Sequence, residues 1–137
     1  MKKALLIFVA IFTMWTVAGA QTKSKVKEIG MMEFAELLDF GTMKAKQVCV
    51  IDFNATWCGP CRQLAPILEE LAGEYEGRVQ FYSIDVDKNK ELAQALEIKS
   101  IPYVLFFGTD GGDPIEMVGL SPKEEVKANV EKILKAK

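Results

Sequence analysis

The sequence has 137 residues but no histidine, and it contains three cysteines. A structural zinc site uses about four cysteine or histidine ligands, so too few are present for one. Covalent haem attachment requires a histidine directly after the second of two spaced cysteines, and Arg62 stands there instead. Hydrolases that pair a cysteine with a histidine base are likewise excluded. We therefore predict no metal site.

The sequence also lacks a block of basic residues. Its formal net charge is −2, and loss of residues 1–20, which include two lysines, would leave 15 basic against 19 acidic residues, or −4. Basic residues are not interleaved with aromatic ones, so we expect no nucleic-acid partner. There is no internal repeat or long linker, and the length suits one ordinary domain.

The N-terminus has the pattern of a secretory signal peptide. A basic start precedes an apolar run from Ala4 to Val17, and Ala18-Gly19-Ala20 matches a small-residue cleavage site. The apolar run is shorter than the roughly 20 residues that a membrane-spanning helix needs, which favours cleavage after Ala20 over a retained anchor. We predict a signal peptide over residues 1–20, a flexible lead-in over 21–25, and a periplasmic or secreted protein without stable membrane association after cleavage.

Two of the cysteines, Cys58 and Cys61, form a Cys-x-x-Cys motif between two regular elements. The apolar run at residues 48–53 predicts a strand, and the periodic pattern at residues 62–68 predicts a helix. Free N–H groups and the helix dipole stabilise a thiolate at a helix start, so Cys58 should be acidic and reactive. Cys61 lies one turn inside the helix, close enough to close a disulfide. A strand–Cys-x-x-Cys–helix unit is typical of thiol–disulfide exchange.

An inert structural disulfide is the alternative interpretation of this pair. Gly59 and Pro60 shape the turn without adding bulk, and Pro60 suits an early helix position because its missing N–H costs nothing there. Trp57 places a large apolar side chain beside a reactive sulfur, which suits a contact surface. These three residues favour a redox-active turn.

Two residues of the predicted strand before this motif, Cys49 and Asp52, have ionisable side chains. Cys49 lies in apolar surroundings, which raise the pKa of a thiol, so we interpret it as inert, with a regulatory role as the alternative. Asp52 is a carboxylate in an apolar run, where burial is expensive and raises the pKa. The alternative is an aspartate at a strand end that faces solvent.

Residues 52–61 read DFNATWCGPC and closely resemble the active-site segment of thioredoxins, and the resemblance runs from about Val26 to the C-terminus. It implies an α/β thioredoxin fold over residues 26–137, with a central mixed sheet of about five strands flanked by about four helices. It further implies thiol–disulfide exchange with disulfide-containing proteins and no cofactor. Cys58 would be the nucleophile, Cys61 the resolving cysteine and Asp52 the acceptor of the Cys61 proton.

The resemblance also assigns residues to substrate binding. A cis bond between Ile101 and Pro102 would face the disulfide and let the Ile101 backbone pair with an extended substrate segment. Gly119 matches a glycine that flanks the substrate groove, and Trp57 lies beside the reactive sulfur.

Two positions depart from the usual family pattern. Thioredoxins usually carry a lysine near the buried aspartate, and that position is Phe81 here. The residue after Phe53 is usually tryptophan, and here it is Asn54. Because of the first change the pKa of Asp52 cannot be taken from the family, and the second change alters the wall beside the active site.

The rest of the chain predicts alternating strands and helices. Strands are expected over residues 26–29, 47–54, 79–85, 104–107 and 115–118, and helices over 31–40, 58–75, 91–96 and from residue 121 or 122 onward. Gly41 should end the first helix, whose methionines are expected to fill the core. Pro66 should kink the second helix.

Three functions are compatible with these features. The Gly-Pro dipeptide favours a general disulfide reductase, which would need an electron donor in the membrane. We expect the protein to be a monomer. The compartment favours a disulfide oxidase or isomerase, which would use the same residues at a different redox potential. A non-catalytic binding module is the third, and the intact cysteine pair argues against it.

Overall fold

The computed structural model describes residues 23–39 and 44–136, so the predicted signal peptide and the predicted helix end at Gly41 lie outside the described residues. The strands there are β1 (Val26–Glu28), β2 (Leu38–Asp39), β3 (Lys44–Ala45), β4 (Cys49–Asn54), β5 (Gln80–Asp85), β6 (Tyr103–Phe107) and β7 (Ile115–Val118). The helices are α1 (Met31–Leu37), α2 (Gly59–Glu74), α3 (Lys90–Ala95) and α4 (Lys123–Lys135).

Five of the strands form one mixed sheet in the order β1-β5-β4-β6-β7. The central strand β4 pairs in parallel with β5 and antiparallel with β6, and β7 closes the edge as a hairpin partner of β6. The predicted mixed sheet of about five strands with four helices is confirmed.

Successive side chains of β4 point to opposite faces of the sheet, and each face packs on its own helices. On one face Val50 packs in a core with residues of α2 and α4, such as Leu64 and Val130. On the other face Ile51 and Phe53 pack in a core with residues of α1 and α3. Because β4 is covered on both faces, its sequence is a nearly continuous apolar run.

The first helix differs from the prediction. It ends at Leu37, and Leu38 turns into extended backbone, where residues 38–39 pair antiparallel with residues 44–45. Leu38 is buried in either arrangement, so the apolar pattern cannot distinguish a longer helix from a short strand. The expectation that its methionines fill the core is wrong, since Met31 and Met32 are exposed.

The second helix runs without a break from Gly59 to Glu74 with Pro66 inside it. Its buried residues recur at helical spacing and include Leu64, Leu68 and Leu71. One continuous helix at this place is confirmed, while the kink at Pro66 stays a prediction. Of the helices in the described ranges, none is long and apolar enough to span a membrane.

Candidate active site

The two cysteines of the motif lie after β4, at the N-terminal end of α2. Cys58 is the N-cap residue of α2, Pro60 lies in its first turn, and a disulfide joins Cys58 to Cys61 with their Cα atoms 5.3 Å apart. The Cys61 backbone N–H donates to the Cys58 Sγ at 3.3 Å. The same N–H and the positive end of the helix dipole would stabilise a Cys58 thiolate after reduction.

The disulfide is shielded from solvent. Cys58 and Cys61 are both buried and form a small apolar cluster with Ala55, against which Ile101 packs. Attack on a substrate therefore requires the substrate to lie closely against this surface.

Asp52 is buried, with 3% of its surface exposed. Asn54 Nδ2 donates to its Oδ2 at 3.0 Å, while Oδ1 has no hydrogen-bond partner within the described part of the chain. Burial raises the pKa of Asp52 to about 6, and the hydrogen bond from Asn54 opposes that rise. The expected raised pKa is thus found, and the solvent-facing alternative is not.

Asp52 and Cys61 line the same cavity, which measures about 280 Å³. Asn54 and Ser83 contribute to its sheet side, and Ser83 stands opposite Asp52 in the β4–β5 pairing. The cavity is also lined by Ser24, Thr56, Arg62 and Glu69. The proposed proton acceptor and the resolving cysteine therefore line one cavity.

One wall of this cavity is the segment before β1. Its attachment to α2 depends on Glu69, whose carboxylate accepts hydrogen bonds from the Ser24 hydroxyl and from the backbone N–H groups of Lys25 and Val26. These bonds hold Ser24 and Lys25, which the sequence places in the flexible lead-in, against the domain. Glu69 is a functional candidate that sequence reasoning missed, because its partners are more than forty residues away.

The expectation that Phe81 is the position near Asp52 on the next strand is wrong, because Phe81 pairs with Val50 and is buried in the core. The residue that pairs with Asp52 on β5 and lines its cavity is Ser83. No cationic side chain in residues 23–39 and 44–136 donates a hydrogen bond to Asp52. The polar donor that the structure places on this carboxylate is the neutral amide of Asn54.

Of the predicted substrate-binding residues, Ile101 packs against the cluster that contains the two cysteines. Trp57 is 66% exposed, and its Nε1 donates to Asp87 Oδ2 at 2.7 Å, which fixes the indole ring at the edge of the site. The Ile101–Pro102 bond is cis, as the resemblance implied. The Pro102 carbonyl accepts a hydrogen bond from the Gly119 N–H at 2.8 Å. Gly119 has a φ of +87°, which glycine adopts without strain.

The partner of Trp57 is a second residue that the sequence did not single out. In the sequence Asp87 is part of a polar turn. Nothing in its local pattern indicates contact with Trp57, thirty positions earlier.

Cys49 lies on β4 but on the face turned away from Asp52. It is fully buried, and burial raises the pKa of its thiol to about 12. Such a thiol stays protonated at neutral pH, which supports its interpretation as inert.

Comparisons with known proteins agree with this geometry. The thioredoxin family model matches residues 21–132. A thioredoxin of Staphylococcus saprophyticus is 46% identical over 88 residues, covering 64% of this chain and 83% of that protein. A thioredoxin of Staphylococcus aureus is 43% identical over 96 residues, covering 70% and 91%.

Solved structures give the same result. A chloroplastic thioredoxin z superposes with a TM-score of 0.71 at 33% identity, covering 80% of this chain and 94% of that one. A thioredoxin of Malassezia sympodialis superposes with a TM-score of 0.66 at 30% identity, covering 82% and 93%.

The buried carboxyl predicts a specific pH dependence of stability. Asp52 has a pKa of about 6 in the folded protein against 3.8 for an ordinary aspartate. The folded state therefore loses stability as the pH rises from about 4 to about 6. Above that range it bears the full free-energy cost of burying the ionised Asp52 carboxylate. We expect Asp52→Asn to raise the free energy of unfolding by up to about 3 kcal/mol at pH 7.5, with the gain shrinking toward zero near pH 4.

Urea unfolding at several pH values measures this gain. Asp113→Asn is the matched control, since Asp113 is exposed in the turn between β6 and β7, and its effect should stay within about 0.5 kcal/mol. A gain from Asp52→Asn that does not change with pH would contradict the assignment of a raised pKa to Asp52.

Proposed function

The chain belongs to the thioredoxin family of thiol–disulfide oxidoreductases, and from this premise we propose that it reduces the disulfides of proteins outside the cytoplasm. The proposal rests above all on the disulfide between Cys58 and Cys61 at the N-terminus of α2, beside a buried carboxyl. No cofactor takes part, because the two sulfurs carry the two electrons themselves.

The first step is attack by the Cys58 thiolate on one sulfur of a substrate disulfide. A bond forms between Cys58 and that sulfur, the substrate S–S bond breaks, and the other substrate sulfur leaves as a thiolate that takes up a proton. The backbone N–H of Cys61, which donates to the Cys58 Sγ, supports the negative charge that Cys58 carries before attack.

The second step releases the substrate. Cys61 gives its proton to the Asp52 carboxylate and attacks Cys58, so that the intramolecular disulfide forms and the second substrate sulfur leaves. A carboxyl with a pKa of about 6 is mostly ionised at neutral pH, so it can accept the proton, and it releases the proton readily afterwards.

The substrate would bind as an extended segment across the site. The backbone at Ile101 would pair with it as an added strand, while the Trp57 ring and the backbone at Gly119 would border its two sides. The exposure of Trp57 and its fixed orientation through Asp87 support this role.

The location is proposed from the N-terminal sequence. Residues 1–20 carry the basic, apolar and small-residue regions of a signal peptide. In a cell with an outer membrane the mature protein would work in the periplasm as a monomer. Its oxidised form must then be reduced again by an electron donor in the membrane.

Disulfide oxidation or isomerisation is the second candidate function. The proposed compartment favours it, because disulfides form and persist in oxidising environments. The same residues would serve oxidation with the electrons moving in the opposite direction, and isomerisation with no net transfer of electrons. The reduction potential separates the reductase from the oxidase.

The two-step reaction predicts different outcomes for the two cysteines. The reduced Cys61→Ser variant should attack a disulfide-containing protein such as insulin and remain covalently attached, because nothing resolves the intermediate. Cys58→Ser should form no adduct, since it lacks the nucleophile. Electrophoresis without a reducing agent detects the adduct.

Cys49→Ala is the control for the general effect of losing a cysteine. We expect it to complete both steps as the wild type does, because its thiol is buried and protonated. Equal adduct formation by the two motif variants would refute the division of roles, and retained biological activity in Cys58→Ser would favour a binding module.

The signal-peptide proposal predicts the mass of the mature protein. Full-length chain made in a bacterium with an outer membrane should be recovered from the periplasm with Gln21 as its first residue. Replacing Ala18 and Ala20 by phenylalanine should block cleavage, because the processing site requires small residues. Intact mass spectrometry of periplasmic and membrane fractions measures both. Wild-type protein that keeps residues 1–20 would contradict cleavage.

A further inference from the structure

The side chain of Asn54 contacts Asp52, which the sequence pattern does not predict. Its Nδ2 donates to Asp52 Oδ2 at 3.0 Å and to the Asp52 backbone carbonyl at 3.3 Å. A backbone carbonyl can only accept, so the nitrogen, rather than the oxygen, of the amide must face Asp52. The amide is therefore oriented as a donor toward the carboxyl group.

The backbone of Asn54 is itself fixed by the neighbouring strand. It pairs with Asp85 in the β4–β5 ladder, and its carbonyl accepts a hydrogen bond from the Val86 N–H at 2.9 Å. Since both its backbone and its side chain are held, Asn54 gives Asp52 a donor at a defined place.

The other groups around Asp52 do not supply such a donor. The other polar and titratable groups that line its cavity are Cys61, Arg62 and Glu69 from α2, Thr56 from the turn before α2, Ser83 from β5, and Ser24 from the segment before β1. Glu69 is engaged with Ser24, Lys25 and Val26. From the core side Phe81 is apolar. Of the residues that line the cavity, Asn54 is the one whose side chain the structure shows hydrogen-bonded to the carboxyl.

We propose that Asn54 is a positioning residue for the release step, whose amide holds the Asp52 carboxyl in the cavity shared with Cys61 and keeps it able to accept the Cys61 proton. This inference rests on the proposed exchange reaction. In that step the Cys61 S–H bond breaks and the proton passes to Asp52. The Cys61–Cys58 bond forms, and the bond between Cys58 and the substrate sulfur breaks.

The physical reason is that a donor stabilises the ionised carboxylate against the cost of burial. A neutral amide does so less strongly than a cation would, because a charged donor makes the stronger hydrogen bond. The carboxyl consequently keeps a pKa that burial still dominates, and it both accepts and releases a proton near neutral pH.

The test compares Asn54→Leu, which removes the donor while keeping the number and branching of the side-chain heavy atoms, with the wild type. NMR of the carboxyl carbon follows the titration of Asp52, whose midpoint should rise by about one pH unit in the variant. Asn54→Ala removes the same donor without adding apolar volume, and it serves if the leucine variant does not fold. Thr56→Val is the matched control, because Thr56 lines the same cavity without donating to Asp52.

Single-turnover kinetics separate the two chemical steps. Reduced protein is mixed with an aromatic disulfide whose thiolate product is coloured, so that the first release reports attack by Cys58 and the second reports attack by Cys61. In Asn54→Leu the first rate should be unchanged. The second should fall about fivefold at pH 6 and approach the wild-type rate at pH 8, as the carboxyl becomes ionised in both proteins.

A double variant distinguishes positioning from a general structural role. In an Asp52→Asn background, Asn54→Leu should have no further effect on the second release, because the group that it serves is gone. An unchanged Asp52 titration, or equal slowing of the second release at every pH and in both backgrounds, would overturn the proposal. Failure of the wild type to release the second thiolate would instead refute the exchange reaction, while the titration would still report whether Asn54 acts on Asp52.

Discussion

The burial of β4 on both faces is the constraint on which the site depends. Its alternating side chains pack into two separate cores, so the end of the strand is held from both sides. Four residues after β4 the chain begins α2, which places Cys58 at the helix N-terminus and Cys61 one turn further. The reactive sulfurs therefore sit on rigid elements although they lie at a surface turn.

The same burial creates the chemistry of Asp52. A carboxylate in the core opposes folding, because burial favours its neutral form. The structure tolerates this cost beside a cavity that Cys61 also lines, and Asn54 reduces the cost with one hydrogen bond. Stability is given up at the place where the proposed reaction moves a proton, as is common for catalytic groups.

Sequence reasoning found the elements with strong local signals. The apolar run of β4, the Cys-x-x-Cys turn and the stripe of α2 follow from spacing and burial, and the resemblance supplied the cis bond before Pro102. The ribbon of β2 and β3 was missed because two-residue strands show no periodicity. The hydrogen bonds that Glu69 and Asp87 accept were missed because they join residues distant in sequence. Asn54 was recognised as a departure from the family pattern, but its hydrogen bond to Asp52 was not predicted.

The reduction potential of the Cys58–Cys61 pair tests the central claim most directly. It can be measured on protein lacking residues 1–20 by equilibration with defined ratios of reduced and oxidised glutathione. Thioredoxin itself lies at about −270 mV, and a strong periplasmic oxidant at about −120 mV. The account predicts a value near the first, as a reductase requires. A value near the second would contradict it and make the protein an oxidant.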